Sequence, residues 1–318
     1  MIEKPSADTL AISLQTRAWA LGLEAYAHRL EYARRPGKVR MSRAGEDPHA
    51  AVASYAPYQW PLLEIDDRRW PDAPIVLITA TMHGDEIAGA LTLYHRFEEI
   101  VQIASEARLA LLCFPLVNPS GFENGERYGM DGAPPEGNND YLRYRTFGGE
   151  WIWDLREDHS ITEWRWSSDP TLPNPPALPA ETRLMHERLK LIDWPRVVAA
   201  IDLHQDRITP GVGPGAYHYG YGDLGRYADI VSRIAKRVPI LADRDFGVDL
   251  SQPTNTMRTD ARGFIVRHDG TSSDLWHRLG VPHAIVAETS GATPLEDVIE
   301  VNMEWIRGLC RLATQRRP

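Results

Sequence analysis

The sequence predicts an α/β fold with a mixed, largely parallel central sheet between helices. The first observation behind this prediction is a continuous apolar, β-branched run at 73–81, which has the composition of a strand buried on both faces. The second is that further apolar runs alternate with segments of helical spacing, a pattern typical of a sheet covered by helices on both faces. The predicted strands lie at 73–81, 109–117, 197–203, 264–267 and 284–288.

Apolar residues recur at helical spacing in the segments between these strands. The predicted helices lie at 9–35, 87–101, 180–192, 224–237, 272–279 and 294–314. Pro36-Gly37 ends the first of them. Short extended pieces are expected at 50–55 and 62–65, and a short helix is expected around Glu150–Arg156.

The composition excludes several classes of function. The 35 Lys and Arg residues against 44 Asp and Glu residues give a net charge of −9, whereas nucleic-acid binding draws on clustered positive charge. No segment approaches the ~20 apolar residues of a membrane span, and the first 20 residues lack the apolar stretch of a signal peptide, so a cytoplasmic location is expected. Two cysteines provide neither a disulfide framework nor a cysteine-rich zinc knuckle.

Polar side chains of one chemical kind follow three of the predicted strands. His83 and Glu86 come after the first strand, His204 follows the strand at 197–203, and Glu288 ends the last strand. His204 lies 121 residues after His83 (204 − 83), and Glu288 lies 84 residues further on (288 − 204). Because ligand sites in open α/β sheets lie beyond the carboxyl ends of strands, these side chains are expected to converge.

Two imidazoles and one carboxylate are a common ligand set for catalytic zinc, with the fourth position left to water. His83, Glu86 and His204 are therefore the candidate ligands of one zinc ion. Zinc lowers the pKa of its water to roughly 7, and a second carboxylate can take the proton during attack on a carbonyl. Glu288 is the candidate for that general base.

These residues resemble the zinc carboxypeptidase family and its aspartoacylase and succinylglutamate desuccinylase relatives. The family pattern is His-x-x-Glu after one central strand, a later His, and a catalytic Glu near the C-terminus, here similar to His83, Glu86, His204 and Glu288. The resemblance spans Ile75 to Gly291 and implies the carboxypeptidase fold.

The resemblance extends to the residues between the ligands. Asn118-Pro119-Ser120-Gly121 is similar to the family's Asn-Pro-Asp-Gly turn, and Arg127 follows where the family has an arginine that stabilises the oxyanion. Asp140-Tyr141-Leu142-Arg143 resembles an eroded Asp-x-Asn-Arg. The match implies that Arg143 binds the substrate carboxylate and that Asp140 orients His83.

Two departures from the family pattern concern substrate recognition. Leu142 replaces the carboxylate-binding Asn, and Val266 stands where digestive carboxypeptidases have a mobile Tyr that covers the substrate. The residues that could substitute for this Tyr are Tyr217, Tyr219 and His268. The Trp-rich insertion at 122–180 has no assigned counterpart, and either a small packed lobe or a substrate-stacking wall accounts for it.

The candidate site residues are spread over most of the central chain and can meet only within one sheet. We therefore expect a single catalytic domain over 1–318. It consists of an N-terminal helix and short strands (1–72), the catalytic core (73–291) and a C-terminal helix (292–318).

Three functional hypotheses follow. The leading one is a zinc-dependent metallocarboxypeptidase that cleaves the amide bond of a peptide next to a free carboxylate. The second is an aspartoacylase-like deacylase of N-acyl amino acids, motivated by Leu142 and Val266; the 121-residue gap between the two histidines (204 − 83) argues against it, because the acylase relatives have a shorter interval. The third, least favoured, is a catalytically silent protein that binds in the same cleft.

Overall fold

The structure, a computed structural model, describes residues 3–32, 58–67, 69–129, 142–152, 160–167, 178–207, 209, 211–248, 256–266, 268 and 271–315. The strands are β1 (Glu24–Tyr32), β2 (Tyr58–Asp66), β3 (Ile75–Ala80), β4 (Ala110–Leu116), β5 (Leu142–Thr146), β6 (Trp151–Ile152), β7 (Ile161–Trp166), β8 (Val197–Leu203), β9 (Ala216–Gly220), β10 (Asp245–Val248), β11 (Thr256–Arg258), β12 (Phe264–Ile265) and β13 (His283–Thr289). The helices are α1 (Ala7–Ala20), α2 (Ala88–Glu106), α3 (Pro119–Asn124), α4 (Ala180–Leu189), α5 (Ala228–Ile234), α6 (Ser272–Arg278) and α7 (Leu295–Thr314).

Eight strands form the central sheet in the order β1-β2-β4-β3-β8-β13-β9-β12. The middle of the sheet is parallel, because β3 pairs in parallel with both β4 and β8, and β8 pairs in parallel with β13. Antiparallel pairings add β1 and β2 on one side and β9 on the other. The predicted fold class, a mixed and largely parallel sheet between helices, is confirmed.

Every residue of β3, β4 and β13 is buried, as expected of strands covered on both faces. Helices α1, α2, α5 and α7 contribute to the hydrophobic core on one face of the sheet. On the other face, α4 and α6 share a second core with side chains of the small sheet formed by β5, β6 and β7. Within the described residues, no helix is long and apolar enough to cross a bilayer.

The predicted helix at 9–35 is wrong in its second half. Helix α1 ends at Ala20, Gly22 has a φ of +76°, and residues 24–32 form β1, which pairs residue by residue with β2. Glycine adopts this left-handed conformation at little energetic cost, and the turn at Gly22 redirects the chain into the sheet. Pro36-Gly37 and the extended piece at 50–55 lie outside the described residues.

The insertion at 122–180 contains regular structure that periodicity did not predict. The short helix expected at Glu150–Arg156 is wrong where the structure describes it, since Trp151–Ile152 form β6 and pair with β5. Trp164 and Trp166 are buried, and their rings lie 5.0 and 5.8 Å from that of His186 on α4. These two tryptophans therefore belong to a packed lobe.

Candidate metal centre

The candidate site lies at the carboxyl ends of three neighbouring strands. Ala80, the last residue of β3, pairs with Leu203, the last residue of β8, and Leu203 also pairs with Ala287 of β13. Because the three strands are parallel, the residues that follow them emerge at one edge of the sheet. The backbone N–H of His204 also donates to the carbonyl of Ala287 at 2.9 Å, which holds His204 beside Glu288.

The turn after β3 is tightly constrained. Thr81 has a φ of +62°, an unfavourable conformation for a β-branched residue, and its carbonyl accepts from the N–H of Asn118 at 3.0 Å. A Cβ atom on Gly84 would lie 2.1 Å from the backbone of Gly121. The turn after β3 and the start of helix α3 are thus packed backbone against backbone, which requires glycine at position 84.

His83, Glu86 and His204 form a compact, buried cluster. Glu86 lies between the two imidazoles, with Oε1 2.9 Å from Nδ1 of His83 and Oε2 2.8 Å from Nδ1 of His204. The two rings are 4.9 Å apart at 77°, and one ligand atom from each residue lies within 4.8 Å of the others. Two imidazole nitrogens and a carboxylate at this separation are a donor set that fits a single zinc ion.

The neighbouring charged groups in this cluster favour the ionised forms of Glu86 and His204, although burial opposes them. Burial alone would raise the pKa of Glu86, but the adjacent His83 and His204 hold it well below its usual value. Burial opposes the charge of His204, whereas Asp202 and Glu86 raise its pKa well above the usual value. Glu86 is therefore ionised, as a metal ligand must be.

Glu288 lies beside this cluster on β13. Its Oε1 is 3.7 Å from Nδ1 of His204, and the residue is 8% exposed. Burial, reinforced by the negative charge of Glu86, raises the pKa of Glu288 well above its usual value. A carboxyl group that lies next to a candidate metal site is placed to accept and donate a proton.

Arg127 also contacts the cluster. Its Nη1 donates to Oε1 of Glu86 at 2.6 Å. The Arg127 carbonyl accepts from the N–H of Gly84 at 2.9 Å and from Nδ2 of Asn118 at 3.0 Å. Asn118-Pro119-Ser120-Gly121, expected as a turn, forms the N-cap and the start of helix α3, and through Asn118 it positions the arginine that the family resemblance indicates.

Arg143 is on β5 of the small sheet, where its Nη2 donates to the carbonyl of Trp151 at 2.9 Å. Asp140 lies outside the described residues. Leu142, at the position of the family's Asn, is fully buried in the second core.

The three alternatives to the covering Tyr occupy different environments. Tyr217 pairs with Glu288 across β9 and β13, and its hydroxyl donates to Oδ2 of Asp206 at 3.1 Å. The ring of Tyr219 lies 6.1 Å from that of Tyr217. His268 lies 3.0 Å from a carboxylate oxygen of Asp274. Of the three, Tyr217 is the one that pairs with the candidate base.

Sequence reasoning missed Asp202. This residue lies on β8, two positions before His204, and its Oδ2 is 3.1 Å from Nε2 of His204. Alternate residues of a strand share a face, so the Asp-x-His spacing could have revealed the contact. Asp206, whose Oδ1 accepts from the N–H of Thr209 at 2.9 Å, is a second carboxylate near Glu288 that was not singled out.

Residues 72–209 match the model of the succinylglutamate desuccinylase/aspartoacylase catalytic domain. The predicted family resemblance is confirmed. The match covers His83, Glu86 and His204 and ends before Glu288. No curated protein matches the chain. Together with the fold, similarity to the succinylglutamate desuccinylase/aspartoacylase family indicates a hydrolase of the carboxypeptidase or deacylase kind.

Solved structures resemble this chain over nearly its whole length. A candidate metallopeptidase from Shewanella baltica is 17% identical with a TM-score of 0.60, over 96% of this chain and 92% of its own. Another from Shewanella denitrificans is 15% identical with a TM-score of 0.54, over 97% and 87%. Bovine thrombin-activatable fibrinolysis inhibitor is 11% identical with a TM-score of 0.51, over 98% and 97%. At these identities the similarity establishes a shared fold.

Proposed function

We propose that this chain is a zinc-dependent hydrolase that cleaves an amide bond next to a free carboxylate, in the manner of a metallocarboxypeptidase. One observation carries the proposal: His83, Glu86 and His204 meet at the strand ends with Glu288 3.7 Å from His204. The match to a catalytic-domain family of hydrolases supports the reaction class.

We propose one zinc ion, with Nδ1 or Nε2 of His83, a carboxylate oxygen of Glu86 and a nitrogen of His204 as its ligands. When bound, zinc supplies Lewis-acid polarisation of a carbonyl and lowers the pKa of a water molecule to roughly 7. The four residues come from three strands of one sheet, which supports a single catalytic domain over 1–318.

In this proposal Glu288 handles the proton. It accepts a proton from the attacking water and passes it to the leaving amine, a role supported by its position 3.7 Å from Nδ1 of the proposed ligand His204. Arg127 donates an N–H to the oxygen that becomes negatively charged when the carbonyl is attacked. The contact of Arg127 with Glu86 supports this role, because it places a positive charge at the ligand cluster.

Two further residues act in substrate binding and ligand orientation in this proposal. Arg143 remains the proposed partner of the substrate carboxylate, and Asp140 remains the proposed residue that orients His83. One of the five N–H donors of Arg143 bonds to the carbonyl of Trp151, and binding of a substrate carboxylate would draw on the other donors.

A second candidate function is deacylation of N-acyl amino acids. The observation that favours it is the family match, since the matching model describes succinylglutamate desuccinylase and aspartoacylase. The burial of Leu142, where peptidases have a substrate-binding Asn, favours it as well. Both candidates use the same zinc ligands and the same base and differ in the acyl group and leaving amine.

The deciding experiment compares substrates on one preparation of the full chain. We would measure zinc content, then hydrolysis of a short peptide with a free C-terminus, the same peptide with an amidated C-terminus, and a set of N-acyl amino acids. Cleavage of the free-carboxylate peptide alone supports the carboxypeptidase. Hydrolysis of the N-acyl amino acids alone overturns it in favour of the deacylase. A chain that neither contains zinc nor takes it up contradicts both and leaves the silent binding protein.

A further inference from the structure

Asp202 occupies a position that neither the family resemblance nor the proposed reaction explains. It lies in the middle of the sheet on β8 and is 1% exposed. A carboxylate that far from solvent is stable only with compensating partners.

The two nitrogens of His204 face different groups. Nε2 lies 3.1 Å from Oδ2 of Asp202, whereas Nδ1 lies 2.8 Å from Glu86 and 3.7 Å from Glu288. A neutral imidazole carries one N–H, and an ionised carboxylate only accepts hydrogen bonds. Both nitrogens thus face carboxylates. If a metal ion takes the place of the proton between Nδ1 and Glu86, the hydrogen bond to Asp202 keeps the remaining N–H on Nε2.

Asp202 is itself held by a second element. The hydroxyl of Ser272, the first residue of α6, donates to the same Oδ2 at 3.1 Å. Helix α6 is fixed in turn by Asp274, whose Oδ2 accepts from Tyr144 and from Arg278, each at 2.9 Å. The Asp202 carboxylate is thus held between β8 and a firmly anchored helix.

We infer that Asp202, held by Ser272, is a positioning residue that fixes the orientation and tautomer of His204 so that Nδ1 is the metal-binding atom. This inference rests on the proposed zinc site. Carboxylates in this position typically account for a 10- to 100-fold difference in metal affinity. Because Asp202 touches the ligand and not the substrate, its loss acts first on metal binding.

The test compares Asp202→Asn with Glu64→Gln in the full chain. Glu64 is a matched control, because it is a buried carboxylate of the same sheet and lies 3.1 Å from a histidine, His28, that is not a proposed ligand. Zinc affinity is measured by competition with a chelator, and the Co²⁺-loaded proteins are compared by visible absorption. Thermal unfolding of the metal-free proteins reports any general loss of structure.

We expect Asp202→Asn to weaken zinc binding by ~10- to 100-fold and to alter the Co²⁺ absorption bands. Glu64→Gln should leave the zinc affinity within about twofold of wild type and the Co²⁺ absorption bands unaltered, whatever its effect on unfolding. Ser272→Ala, which removes one hydrogen bond and no charge, should weaken zinc binding several-fold, and it serves as the test if Asp202→Asn does not fold.

Unchanged zinc affinity and unchanged Co²⁺ absorption in a folded Asp202→Asn or Ser272→Ala protein overturn the inference and leave the zinc site standing. Weakening of equal size in Glu64→Gln also overturns it, since the effect is then one of stability. A wild-type chain that binds no zinc contradicts the proposed function instead, so the two failures are distinguishable.

Discussion

Arg127 donates from Nη1 to Oε1 of Glu86 at 2.6 Å, the same oxygen that lies 2.9 Å from Nδ1 of His83. The proposed oxyanion-stabilising residue thus touches a proposed metal ligand directly. Arg127 and the ligand set are consequently linked, and a change at Arg127 acts on the geometry of Glu86 as well as on the substrate.

Replacing Arg127 by Ala should lower kcat by ~10²- to 10³-fold, the usual loss when an oxyanion donor is removed. The measurement is steady-state kinetics on the substrate that the comparison of peptides with N-acyl amino acids selects. The control is Arg207→Ala, because Arg207 is exposed and donates to the carbonyl of Asp85 in the turn between His83 and Glu86. Equal losses of kcat in the two variants would contradict a specific role for Arg127.

The substitution Glu288→Gln should lower kcat by ~10²- to 10⁴-fold, the range expected for loss of general acid–base catalysis. The shape of the side chain is kept, so zinc content should match that of the wild type. Metal analysis and turnover are measured on the same preparation. Near-normal turnover at full zinc occupancy would exclude Glu288 as the base.

A methyl group at position 84 should disturb the site through the backbone. Gly84→Ala places Cβ 2.1 Å from the backbone of Gly121, so the turn after β3 and helix α3 must separate, and overpacking of this kind costs ~1–3 kcal/mol. We expect a lower free energy of unfolding in denaturant and weaker zinc binding. Gly213→Ala is the matched control, since a Cβ there meets no atom within 4 Å. Identical unfolding curves for the two variants would refute the argument.

His218 should make the protein less stable in acid. Its fully buried ring accepts from Nε1 of Trp305 at 3.1 Å, and burial lowers its pKa from 6.5 to about 3. His218 therefore binds a proton more tightly in the unfolded chain than in the folded one. The contribution of neutral, buried His218 to stability is complete above pH 6.5 and is lost as the pH falls from 6.5 towards 3.

The measurement compares wild type with His218→Gln in urea at several pH values, both with a chelator present. As the pH decreases below 6.5, the free energy of unfolding of the wild type should fall more steeply than that of His218→Gln, by up to ~1.4 kcal/mol per pH unit. Parallel pH profiles for the two proteins would show that His218 does not titrate in this way.

The central strands were predictable because both of their faces are apolar. β3 lies within a continuous apolar run and β8 begins with one, and such runs depend little on what surrounds them. β1 was not predictable, because the apolar residues of 24–32 also fit helical spacing. Its conformation is decided by pairing with β2, which is distant in sequence. β9 is short and rich in aromatic residues, and it shows no clear alternation of apolar and polar residues.

The candidate site was predictable to the extent that its residues follow strands. His83, Glu86, His204 and Glu288 each occur at or just after the end of an apolar run, and the sheet brings them together. The contact of Arg127 with Glu86 depends on how two turns pack, which no local pattern encodes. The same holds for the hydrogen bond from Ser272 to Asp202, which joins residues 70 apart in sequence.

The order of strands in the sheet has a consequence for folding. β3, β8 and β13 are neighbours only in the finished sheet, although 121 residues separate His83 from His204 (204 − 83) and 84 separate His204 from Glu288 (288 − 204). Partly folded chains lacking one of these pairings hold an incomplete set of metal-binding groups. Metal uptake during refolding should therefore follow the slow, long-range closure of the sheet rather than early collapse.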